Sequence, residues 1–118
     1  MPFLRILKTL VDLTPQAIGA IVVDWEGESV QEFCHCDPYE IRFFGAHQEI
    51  LFNSLKAVHN NVQLGMIEEL VITATDNQLI IGCIDKDYAL AMKVGRDCAV
   101  GVALHKFRAA IAELKKEI

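Results

Sequence analysis

The sequence predicts a small α/β domain of the α+β kind, in the order α-β-β-α-β-β-β-α, and three observations carry that expectation. Apolar residues recur at three-four spacing in three segments and form dense short runs in five others. Acidic, glycine- or proline-containing turns punctuate the segments. The later strands are apolar on both faces (Val71 and Ile72; Leu79, Ile80 and Ile81), which calls for helices on both sides of the sheet.

The first helix is expected over residues 3–11, with Leu4, Leu7 and Val11 on one stripe and Phe3, Ile6 and Leu10 beside it. Thr14-Pro15 ends it, because the residue before proline is pushed out of the helical region. Residues 17–23 form a strand that runs into the turn Asp24-Trp25-Glu26-Gly27, and residues 29–36 return as its hairpin partner. Asp37-Pro38 then closes the hairpin and opens a helix, aspartate as cap and proline in the first turn.

The second helix, about residues 39–60, is the most informative element. Ile41, Phe44, Gln48, Leu51, Leu55 and Val58 align along one face, which suits packing on the helix's own sheet. A second stripe lies beside it: Phe43, His47, Ile50, Ser54 and Ala57. Together they span roughly 200°, against the 100° or so that one contact needs. Arg42, Glu49, Asn53 and Lys56 form the wet edge. Such a helix is built to touch two things.

Three strands follow over residues 66–75, 78–84 and 88–94, joined by Asp76-Asn77 and Asp85-Lys86-Asp87, and such short connections make antiparallel neighbours. The last helix is expected to open at Gly95-Arg96-Asp97, with Asp97 as cap. Val100, Leu104, Phe107, Ile111, Leu114 and Ile118 keep its three-four spacing, and Lys115 and Lys116 suit the negative end of its dipole.

Composition narrows the function. One domain, residues 1–118, is long enough to close a core. Its hydrophobic content of 53% exceeds the usual average of about 45–50%, so the chain covers its sheet on both faces or shares surface with a partner. No run of about 18 apolar residues is present, and no membrane-spanning helix is expected. Arg5 and Lys8 break the N-terminal apolar stretch, unlike a secretory signal, and the chain is expected to be cytoplasmic. With a net charge of −5 and no basic block beyond Lys115-Lys116, nucleic-acid binding is not expected.

Chemical motifs are sparse. On a strand, Cys34 and Cys36 point to one face and His35 to the other, which splits any shared metal site. His47, His59 and His105 accompany no nucleophile motif, and Glu68, Glu69, Asp85 and Asp87 suit solvation better than carboxylate chemistry. No glycine-rich phosphate loop occurs. Neither a catalytic residue nor a cofactor nor a metal is expected.

The element order, with Val23-Asp24-Trp25-Glu26-Gly27 and the Val94-Gly95-Arg96 entry to the last helix, resembles the Roadblock/dynein light chain family, and within it bacterial polarity regulators of the MglB type. The resemblance implies a five-stranded antiparallel sheet, the second helix on one face and the first and third on the other. It also implies a homodimer in which third strands pair edge to edge and second helices lie together. The implied interface residues are Arg42, Phe43, Ala46, His47, Ile50, Ser54, Ala57, Glu69, Val71 and Thr73. The paired helices form a platform for a small Ras-like GTPase whose hydrolysis they can stimulate. Relatives act by reshaping the GTPase's switch regions, so Arg42 is expected at the rim and not as an inserted arginine finger. The alternatives are a scaffold pairing with Roadblock-type chains in a larger complex and, more remotely, a thiol or metal protein using Cys34 and Cys36.

Overall fold

The computed structural model describes residues 2–62 and 67–118, with side chains other than those at positions 48, 49, 52, 53, 56 and 58–62. The elements are α1 (Pro2–Leu13), β1 (Ala17–Asp24), β2 (Ser29–Cys34), α2 (Pro38–Val62), β3 (Glu69–Thr73), β4 (Asn77–Cys83), β5 (Tyr88–Gly95) and α3 (Val100–Glu117). All pairings are antiparallel, and the sheet order is β2-β1-β5-β4-β3. The predicted order and antiparallel sheet are both present. No helix among the described residues is long and apolar enough to cross a membrane.

Two layers cover the sheet. On one side α1 and α3 pack on each other and enclose Leu7, Leu10, Phe107 and Leu114 with Val22, Ile80, Leu90 and Met92. On the other side α2 lies over β1 and β2, and Ile41 joins Ile21, Val23, Ile81 and Ala91. Alternation along β1 sends Val22 to the first cluster and Ile21 and Val23 to the second, so both faces of the strand are dry.

The turns follow their residues. Ala17 N–H donates to Thr14 O across Pro15-Gln16, and Gln16 has φ 64°, the pattern of a type II turn with a non-glycine residue where glycine is usual. Asp24 Oδ1 accepts from the N–H groups of Glu26 and Glu28, and Gly27 supplies φ 81° for the hairpin.

Several boundaries depart from expectation. The strand expected over residues 29–36 ends at Cys34. The third strand starts at Glu69 and ends at Thr73, with Met66 outside the described residues, because Ala74 N–H turns to bond Asn77 O. Asn77, expected in that turn, instead pairs with Gly95 in the sheet. Leu4 is exposed, since α1 buries the Ile6, Leu7, Leu10 and Val11 side.

Asp97 is not the cap of α3. The cap position is Ala99, without a side-chain bond, and Gly95 still belongs to β5. The reason is distant in sequence. Buried Gln78 donates through Nε2 to Arg96 O at 3.0 Å and to Cys98 O at 2.9 Å, and Cys98 Sγ donates to Pro15 O at 3.1 Å. These bonds hold residues 96–98 as a turn and delay the helix.

Candidate partner-binding surface on the second helix

The start of α2 is fixed locally. Tyr39 N–H donates to Asp37 Oδ1 at 3.0 Å and Glu40 N–H to Asp37 O at 2.9 Å, so Asp37 is the cap that the sequence predicts. Glu40 adds negative charge to the first turn. On the inner face Ile41 is buried, Phe44 packs beside it, and Gly45 sits directly on β1. A Cβ at Gly45 would lie 2.9 Å from Val23 Cγ1 and 3.0 Å from Ile21 Cδ1. The missing side chain lets the helix backbone approach the sheet.

That seating turns the second stripe outward. Phe43 is 56% and Ile50 65% exposed, and Ala46, His47, Ser54 and Ala57 are exposed beside them. Tyr39, outside the predicted set, extends the stripe by one turn. Its ring centroid lies 6.3 Å from that of Phe43, which in turn lies 4.2 Å from that of His47. The i−4 spacing from Phe43 is the signal that finds Tyr39 in the sequence.

The polar members are turned back on their own helix. His47 Nδ1 lies 2.9 Å from Phe43 O, where its N–H tautomer donates, and Ser54 Oγ donates to Ile50 O at 3.0 Å. Burying an unpaired hydroxyl costs about 1–3 kcal/mol in proteins, and the internal bond offsets most of that. The surface is apolar in effect as well as in composition. Gln48 and Val58 of the inner stripe, Glu49, Asn53 and Lys56 of the wet edge, and His59 have side chains outside the description.

Arg42, beside Phe43 on α2, is exposed and tethered. Its Nε donates to Glu32 Oε1 on β2 at 2.6 Å, a second guanidinium nitrogen pairs with the same carboxylate, and Ser29 Oγ also donates to Glu32. Burial pushes the Glu32 carboxyl up, but the hydrogen bonds from Arg42 and Ser29 outweigh it and hold the group below the usual range. A finger role would require Arg42 to leave this pair; a rim contact would not.

The β3 members of the predicted set stand apart from the stripe. Glu69 is bonded by Arg108 of α3, with Nε at 3.1 Å from Oε1, and Val71 packs into the α1/α3 cluster. Thr73, at the same alternation, is exposed at the strand end. These three side chains face away from α2, whereas Leu70, which the prediction omits, packs on the α2 side. β3 is an edge strand, paired only with β4 among the described residues, so its free side offers backbone groups.

Cys34-His35-Cys36 splits as the alternation predicts, although the strand ends at Cys34. Cys34 and Cys36 pack in the α2-side cluster, while His35 Nε2 lies 3.5 Å from Asp12 Oδ1 on α1. Burial, followed by the Cys34 thiol beside it, pushes the Cys36 thiol up to about 11. Such a group stays protonated near neutrality and is a poor nucleophile. No cluster of three metal-ligating side chains occurs among the described residues.

An antiparallel five-stranded sheet with two helices on one face and one long, outwardly apolar helix on the other is the Roadblock/LC7 fold. The Roadblock/LC7 domain from Streptomyces avermitilis superposes with a TM-score of 0.89 at 15% identity, covering 97% of this chain and 95% of that one. Gliding protein MglB from Thermus thermophilus gives 0.88 at 13% identity, over 98% of this chain and 87% of its own. MglC from Myxococcus xanthus matches over 100% of both chains, with a TM-score of 0.72 and 21% identity. At these identities the likeness establishes the fold. No protein-family profile and no curated protein sequence matches the chain.

Proposed function

We propose that the chain is a regulatory binding module without catalytic residues of its own, homodimeric through α2 and the β3 edge, that engages a small Ras-like GTPase and stimulates its hydrolysis. One observation carries this reading: the stripe of Tyr39, Phe43, Ile50 and Ala57 on the outer face of α2, with His47 and Ser54 bonded back onto the helix. An apolar face of this kind marks an interaction site. The fold shared with MglB supports the regulatory role, and an MglB structure with a tetrameric arrangement supports self-association. In this reading the protein acts in the cytoplasm, in the control of cell polarity.

The test mixes the protein with a Ras-like GTPase from the same cell, loaded with a non-hydrolysable GTP analogue, on a sizing column. A co-eluting complex that Phe43→Asp abolishes is the expected result. Failure of several candidate GTPases to shift at tens of micromolar would exclude the GTPase partner. The full-length likeness to MglC favours a second reading, a scaffold that pairs with another Roadblock-type chain. It predicts the same dependence on Phe43 for association and no change in GTPase turnover.

A further inference from the structure

We propose that the groove between α1 and α3, on the face opposite α2, is a second docking surface whose occupant is a partner's amphipathic helix with acidic residues flanking an apolar ridge. The groove encloses about 280 Å³. Its buried lining residues are Ile6, Leu10 and Ala110, and the small side chains of Ala109 and Ala110 leave room along α3. Leu13, 58% exposed, forms one end.

Shape argues for a helix. The lining residues run from Arg5 to Leu13 on α1 and from Lys106 to Glu113 on α3. At 1.5 Å per residue that is a trough of roughly 12 Å, about two turns, the form into which helix-in-groove partners lay their i, i+3, i+4 and i+7 anchors. Its volume falls just below the roughly 300–1,000 Å³ of small-molecule sites. An added strand would need a sheet edge, and the edges lie elsewhere, at β2 and β3.

Charge argues for acidic flanks. α1 and α3 carry six basic and three acidic side chains, net +3, whereas the other 88 residues carry five basic and thirteen acidic, net −8. Three of the six have partners: Lys8 pairs with Asp12, Arg108 with Glu69, and Lys116 with Glu113. Arg5 and Lys106 have no carboxylate partner among the described residues, and both line the groove. Glu113, the one carboxylate in the lining, is the group that Lys116 engages. An apolar trough flanked by two uncompensated cations, on a chain of net −5, complements an acidic helix and disfavours a basic one.

The experiment uses the whole chain and a fluorescent amphipathic peptide of about fourteen residues, four turns, with leucine at the anchor positions and glutamate beside them. Anisotropy at low salt should show saturable binding, and a version with lysine in place of glutamate should bind about 10-fold more weakly, a difference of about 1.4 kcal/mol. Arg5→Glu with Lys106→Glu should invert that preference, and binding of the lysine peptide by this variant also shows that it is folded. Phe43→Asp should leave the acidic peptide's affinity unchanged, which separates this site from the α2 surface. Equal binding of both peptides, absence of saturation, or competition by α2 substitutions overturns the proposal. So does a protein that ignores the peptide but binds phosphatidylserine vesicles through Arg5 and Lys106, which would make the face a membrane contact.

Discussion

The two helical layers of this domain solve the same problem with different success. On one face α1 and α3 lie side by side, bury Leu7, Phe107 and Leu114 completely, and close the core. On the other face α2 works alone. A helix with side chains is about 10–12 Å across, while five strands spaced about 4.8 Å apart need twice that cover. Leu70, Cys83 and Ala89 remain half-buried on that face, and Phe43 and Ile50 point outward. The difference teaches where the sheet is left open: the paired layer seals its side of the sheet and leaves only a groove on its outer surface, whereas the single-helix layer leaves the sheet itself partly uncovered and calls for a partner.

The sharpest way to break that contrast is to truncate one large aromatic ring on each layer. Phe107→Ala should lower the unfolding free energy by about 3–5 kcal/mol, because the ring is fully enclosed between α3 and the sheet. Phe43→Ala should change the stability of the isolated protomer by no more than about 0.5 kcal/mol. Denaturant titrations at concentrations that dissociate any oligomer compare the two directly. Equal costs would mean that Phe43 belongs to a core and that the layers do not differ.

Next in size, Gln78→Met should cost about 1–3 kcal/mol, since it strips the carbonyls of Arg96 and Cys98 of their donor. Amide exchange around residues 96–100 should rise with it. A neutral result would show that the α3 entry is held by something else.

Gly45→Ala sharpens the picture of the single-helix layer. The substitution gains about 1 kcal/mol of helix propensity. Against that, the new methyl must displace Val23 Cγ1 and Ile21 Cδ1, and overpacking of this kind costs about 1–3 kcal/mol. A net loss, read from the unfolding midpoint, is expected; a net gain would mean that α2 rides loosely on β1.

The smallest effect concerns pH. The hydrogen bonds from Arg108 hold the Glu69 carboxyl below the usual range against the opposing pull of burial. Its folded form therefore favours the ionised state, and the stabilisation is complete above the ordinary glutamate value and lost as pH falls through the depressed one. Between about pH 6 and pH 3 the wild type should lose slightly more stability than Arg108→Met. Parallel pH profiles would show that the pair does not fasten α3 to β3.

What was legible in the sequence was what is decided locally. Thr14-Pro15 and Asp37-Pro38 mark their boundaries because proline and a capping aspartate constrain the adjacent backbone itself. The outward stripe was legible because its arc is wider than one sheet contact can use, and Phe43 and Ile50 stand where that reasoning puts them. The entry to α3 was not, since Gln78 and Pro15 reach it from other strands and turns. Nor was the facing of β3: Glu69 and Val71 turn toward α3 because Arg108 and the larger cluster lie there, a fact of tertiary packing. The groove between α1 and α3 was hidden for the same reason, as it exists only where two separate helices meet.

The central claim is that the outer face of α2 is an interface between protomers. Sedimentation equilibrium of the native protein beside Phe43→Asp and Ile50→Asp tests it most directly. Burying an unpaired carboxylate at such a contact costs several kcal/mol, about a thousandfold or more in affinity. The account predicts a wild-type dimer and two folded monomers with unchanged protomer stability. A wild-type monomer, or dimers for both variants, would contradict it.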